Sequence, residues 1–135
     1  MTLIVAPVRF PLDHRSTATL ETAMDLAEER DAELTVLHVN LYQNGRSVTR
    51  SQLKDAVEGQ FGRIPNARYV VRTGFLVEES ILDEVAAEEA DAVVIGRQQA
   101  SAWRRVLRRL TSNPDIDGYL RDHLECEVVT AESAR

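Results

Sequence analysis

A single cysteine, Cys126, stands among the 135 residues, so no internal disulfide can form. That agrees with a reducing compartment, where domains of this size hold together without cross-links. Long apolar runs are missing as well. The longest are strand-sized pieces such as LIVAPV and AVVIG, far short of the roughly 20 residues that a membrane span needs. No signal-peptide pattern precedes the first apolar run, and the expectation is a cytoplasmic protein without a membrane segment. Lysine is almost absent, with Lys54 standing alone against fifteen arginines. Together with a net charge of −6, this fits either adaptation to a salt-rich (halophilic) cytoplasm or a GC-rich genome, and composition does not choose between them. No metal-ligand spacing occurs, nothing repeats, and no stretch reads as a linker. The chain, 44% hydrophobic and 28% charged, is expected to form one domain over residues 1–135 with one core.

The charge is unevenly spread. Residues 97–111 hold Arg97, Arg104, Arg105, Arg108 and Arg109 and no acid, which leaves −11 on the remainder. An acidic molecule with one basic patch is poorly suited to general nucleic-acid binding, which needs a broad positive face.

Strand and helix patterns alternate along the length. Leu3–Val8 is a continuous apolar run of strand length. Leu20, Ala23, Met24 and Ala27 then recur at helical spacing, with Glu21, Asp25, Glu28 and Glu29 on the opposite face. Glu33–Val39 is a second buried strand, rich in β-branched residues. Asn44-Gly45 marks a loop, and a short helix follows over residues 51–61 with Thr49 or Ser51 as its cap. Ala67–Arg72 is a third strand. Residues 75–90 form a helix with Val77, Ile81, Leu82 and Val85 inward, and Asp91–Gly96 is a fourth strand. Trp103, Val106, Leu107 and Leu110 share one face of the arginine-rich segment, and another helix is expected from Asn113-Pro114. Cys126–Ala131 closes as a fifth strand. Five strands joined by helical crossovers imply a doubly wound α/β fold, a parallel sheet covered on both faces. Ligands of such folds sit at the carboxyl ends of the strands where the strand order reverses. The candidate loops are therefore Arg9–Ser16 and Gly96–Ser101.

The stretches IVAPVRF, HRSTATLETAMDLAEERDAELTVLHV and ILDEVAAEEADAVVIGR, in that order, resemble the universal stress protein A family. The resemblance implies a Rossmann-like, three-layer domain with strand order 3-2-1-4-5, a homodimer formed through residues 127–131, and a role in stress survival without established chemistry. Nucleotide-binding members carry glycine, two residues, glycine, nine residues, then glycine and serine or threonine. Counted from Gly96, the later positions here are Gln99, Arg109 and Leu110. Arg9 stands where an aspartate would meet the adenosine, while Val39 still fits the position lining the adenine pocket. Glycines let backbone amides approach a phosphate closely, and their loss argues against ordinary ATP or AMP binding. A receiver domain, built on a similar sheet, would need acids after its first and third strands, where this chain has Arg9 and Arg72.

Several residues admit more than one role. Arg104, Arg105, Arg108 and Arg109 fall within an arc of about 140° on a helix. The plainest interpretation is a solvated face. The alternatives are contact with an acidic partner protein, or an adenine-nucleotide or anion sensor in which Arg97, Ser101, Arg105 and Arg109 replace the glycine loop, since guanidinium groups bind phosphate in bidentate fashion. Trp103 is expected in the core or a dimer contact. His38, inside a strand, is expected to be structural, and His14 and His123 exposed. Asp13, His14 and Ser16 are neighbours on a loop in this interpretation and lack the geometry of a catalytic triad. Cys126 is expected to pack. No catalytic residue, cofactor or metal site is assigned, and the function expected is that of a regulatory or interaction module in the stress response.

Overall fold

A computed structural model of the chain describes residues 2–45, 47–96 and 126–131. The elements are β1 (Leu3–Pro7), α1 (His14–Arg30), β2 (Glu33–Leu41), a 3-10 turn at Tyr42–Asn44, α2 (Arg50–Phe61), β3 (Ala67–Gly74), α3 (Val77–Glu88), β4 (Ala92–Gly96) and β5 (Glu127–Ala131). Every strand pairing is parallel, and the order is β3-β2-β1-β4-β5. This is the order and the doubly wound architecture expected. The arginine-rich segment and the helix expected from Asn113 lie outside the described residues.

The strands read as nearly unbroken apolar runs because both faces of the sheet are covered. On one face Ile4, Val36 and Val94 pack under Leu20 of α1 and Leu53 and Val57 of α2. On the other, Val5, Leu37 and Val93 lie beneath Ile81, Leu82 and Val85 of α3. Side chains alternate between faces along a strand, so a one-residue slip would exchange these two sets and break both contacts.

Local chemistry sets the helix ends. Asp13 caps α1 by accepting from the Ser16 N–H, and Asp31 closes it in the left-handed conformation at φ 51°. Thr49 caps α2 in a reciprocal capping box with Gln52, which resolves the choice between Thr49 and Ser51. α3 starts at Leu76 without a side-chain cap, and Glu78 and Glu79 in its first turn face the positive end of the helix dipole.

Most element ends shift by one or two residues from expectation, among them α3, which spans Val77–Glu88 where 75–90 was expected, and two strands run longer. β2 runs on to Leu41 and β3 to Gly74, because Asn40 pairs with Thr73 and Leu41 with Gly74. Asn40 ends the apolar run without ending the strand: its amide donates to the Val48 carbonyl and accepts from the Val48 N–H, each at 3.0 Å. The inner face of α3 also carries two buried carboxylates. Glu84 pairs with Arg72, and Glu88 with Arg68 and with the Thr35 hydroxyl. Charged residues can line a helix face that packs on a sheet edge only when partnered in this way.

Candidate functional site

The chain leaves β1 toward β2 and β3 on one side and reaches β4 and β5 on the other. The strand order therefore reverses between β1 and β4, and the crevice beyond their carboxyl ends is where this fold takes ligands. The walls are the loop after β1, the start of α1, and the end of β4 at Gly96.

The backbone donors of Val8, Arg9 and Ser16 in the first wall have partners. Pro7 and Pro11 have no N–H. The Val8 N–H donates to the Leu37 carbonyl at 2.8 Å, and the Arg9 N–H donates to Ser16 Oγ at 2.9 Å. The Ser16 N–H donates to Asp13 Oδ1 at 2.8 Å. Asp13 thus places a carboxylate at the helix N-terminus, where an anion would otherwise be welcomed by amides and dipole. Partial burial opposes ionisation of this group. The Ser16 hydrogen bonds and the charges of Arg9 and His14 outweigh that effect and hold its pKa below the usual carboxylate value.

His14 and Ser16 do not lie on a loop, as their neighbours in sequence suggested, but in the first turn of α1. The cap draws them into the helix. His14 is exposed and Ser16 buried, and the Asp13–Ser16 pair is wholly engaged in capping and in holding Arg9. Arg9 itself is exposed. Val39 lies two residues before the end of β2, only 9% exposed, and packs in the cluster beneath α3. A Cβ built on Gly96 would just reach Thr19 Oγ1 at 4.0 Å, so contact there does not demand glycine. Arg97, Gln99, Ser101, Arg105 and Arg109, with Arg104 and Arg108 of the basic patch, lie outside the described residues. So do Trp103 and His123.

The other candidate groups have structural roles. His38 Nδ1 lies 3.0 Å from the Val8 carbonyl oxygen, a contact in which the ring nitrogen must donate, and its ring meets Phe10 edge-on at 6.2 Å. Cys126 packs at the margin of the α3 cluster. Burial, then the charges of Asp91 and Glu127, push its thiol up to about 11, which suppresses the reactive thiolate. Among the described residues no group of three or more His, Cys, Asp or Glu side chains is placed to hold a metal, and no helix is long and apolar enough to cross a membrane.

The element missed from the sequence was the Arg9–Ser16–Asp13 chain of contacts. An aspartate three residues before a serine at the head of a helix is an N-cap pattern, and that signal was present.

A parallel sheet with this order, helices on both faces and a crevice between β1 and β4 has the doubly wound α/β fold of universal stress protein structures. Three solved structures carry the comparison. Universal stress protein UspA from Lactobacillus plantarum is 22% identical, with a TM-score of 0.58, covering 96% of this chain and 97% of that one. A universal stress protein in complex with cAMP is 14% identical, TM-score 0.53, with 98% of each chain covered. A member of the family from Burkholderia pseudomallei is 16% identical, TM-score 0.50, covering 96% of this chain and 94% of that one. No family model matches the sequence, and no curated protein matches it.

Proposed function

We propose that this chain is a universal-stress-type protein acting as a non-enzymatic regulatory or interaction module, and that its crevice does not take ATP in the ordinary way. One observation carries this reading. The Arg9 and Ser16 N–H groups are taken up within the loop after β1 and the first turn of α1, the Val8 N–H by the Leu37 carbonyl of β2, and Asp13 sits on the helix N-terminus. In the sequence, Gln99, Arg109 and Leu110 stand at the motif positions where the family's nucleotide binders have glycine, glycine and serine or threonine. A triphosphate needs open amides and close backbone approach, which the bonded amides of Arg9 and Ser16 and the loss of the motif glycines both disfavour. Because one similar structure holds cAMP, the test is calorimetric titration of the full chain with ATP, AMP and cAMP. The outcome expected is no saturable heat at micromolar ligand; a tight isotherm with any of the three overturns the reading.

The module is proposed to act as a homodimer through β5. That strand lies at one border of the sheet, and Val128 on it is 44% exposed. A short apolar edge is protected when a second copy pairs with it. Sedimentation at tens of micromolar should give twice the monomer mass, and a monomer there removes this part of the proposal.

A further inference from the structure

The sheet has two borders, β3 and β5, and they differ in how they meet solvent. In β3 the N–H and C=O of each residue point to the same side, alternating along the strand. The Asn66 carbonyl accepts from the Leu34 N–H of β2, so residues 68, 70, 72 and 74 face β2, and residues 67, 69, 71 and 73 face outward. The outward row is the template onto which another strand could add. Within that row the Tyr69 carbonyl is already occupied: Arg50 Nε donates to it at 3.0 Å.

Arg50 is held in place from both sides. It is the first residue of α2, immediately after the Thr49 cap, whose N–H donates to Gln52 Oε1 at 2.9 Å and whose Oγ1 accepts from the Gln52 N–H at 3.1 Å. The preceding residue, Val48, is fixed by both hydrogen bonds of the Asn40 amide. A guanidinium delivered this way splits the outward row near its middle. It also sets like charges against each other whenever two β3 edges approach. The other arginines of β3 do not add to this charge, because Arg68 and Arg72 are paired with Glu88 and Glu84.

We propose that Arg50 is an edge guard that keeps β3 from pairing with a second copy of this chain, leaving β5 as the one border open to association. A protein with a single usable edge stops at a dimer. One with two usable edges grows into an open chain. The inference does not depend on the β5 dimer, because wild-type mass reports on β5 and the increment caused by mutation reports on β3.

The test is sedimentation velocity of the full chain across a concentration series, comparing wild type, Arg50→Ala and Arg50→Ala/Thr73→Pro. Thr73 is exposed and its N–H lies in the outward row, so proline there blocks strand addition without removing a bond to β2. Arg50→Ala is expected at least to double the mass at the highest concentration while leaving the far-ultraviolet circular dichroism unchanged. Thr73→Pro is expected to restore the wild-type mass. An Arg50→Ala protein that sediments like wild type throughout overturns the proposal. So does an assembly that survives the proline, since that would mark association elsewhere than at the β3 edge.

Discussion

Asp13→Ala probes the cap of α1 beside the loop after β1. The substitution removes the acceptor of the 2.8 Å bond from the Ser16 N–H and leaves that donor unpaired in a buried residue. Losing an N-cap of this type costs about 1 kcal/mol, with a range of roughly 0.5–2. The burial of Ser16 places this case in the upper half, near 1.5 kcal/mol, equivalent to a fall of about 6 °C in Tm for a domain of this size. The effect depends on pH with a definite sign. The folded-state pKa of Asp13 lies below its ordinary value, so its contribution is present above the unfolded value, near 3.9, and is lost as pH falls through the folded one. The stability gap between wild type and Asp13→Ala should therefore be full at neutral pH and narrow below about pH 4, the neutral carboxyl retaining the part of the cap that does not depend on charge. Asp13→Asn, which keeps the cap, should stay close to wild type at neutral pH. The first amides of α1, once freed, should also admit an anion. Urea melts in phosphate and in chloride at equal ionic strength should agree for wild type and differ for Asp13→Ala, with phosphate stabilising. A variant as stable as wild type at neutral pH would refute the capping argument. Equal stabilisation of wild type by phosphate would show that these amides are already open.

Asn40→Ala strips both partners from Val48 in a part-buried setting. At about 1–3 kcal/mol per orphaned group, and toward the low end because Val48 is only part-buried, the loss should be about 2 kcal/mol, read as a lower urea midpoint at unchanged m-value; a change under about 0.5 kcal/mol would mean the loop before α2 is not held by this amide. Cys126, with its thiol pushed up to about 11, should react with a thiol reagent at pH 8 on the order of 100-fold more slowly than an unperturbed cysteine. In urea the difference should disappear, and a native rate equal to the unfolded one would contradict the burial of that side chain.

The legible parts of the fold were those governed by periodicity. Leu3, Ile4 and Val5, the run from Leu34 to Val39, and Ala92 to Ile95 all announced buried parallel strands, since a sheet covered on both faces needs apolar residues at successive positions. Asn40 was not legible as strand, because a polar residue after an apolar run looks like a loop until its side-chain partner, Val48, is known. Glu84 and Glu88 were missed for the same reason. Acids at helical spacing look like a solvated face, and only the register that brings Arg72 and Arg68 beneath them makes burial feasible. Of the candidate site, the family pattern pointed to Arg9, which the structure leaves exposed after β1, and to Val39, which it buries in the cluster beneath α3. The bonds that join Arg9, Ser16 and Asp13 depend on a tertiary turn that sequence spacing suggests only as a cap.

The most direct measurement is the electron density of the full-length protein crystallised with millimolar ATP, viewed between the carboxyl ends of β1 and β4. The expectation is that Asp13 remains on the α1 N-terminus, the Arg9 N–H stays bonded to Ser16 Oγ, and no nucleotide is present. A purine against Val39 with its phosphates on backbone amides beyond Gly96 would contradict it.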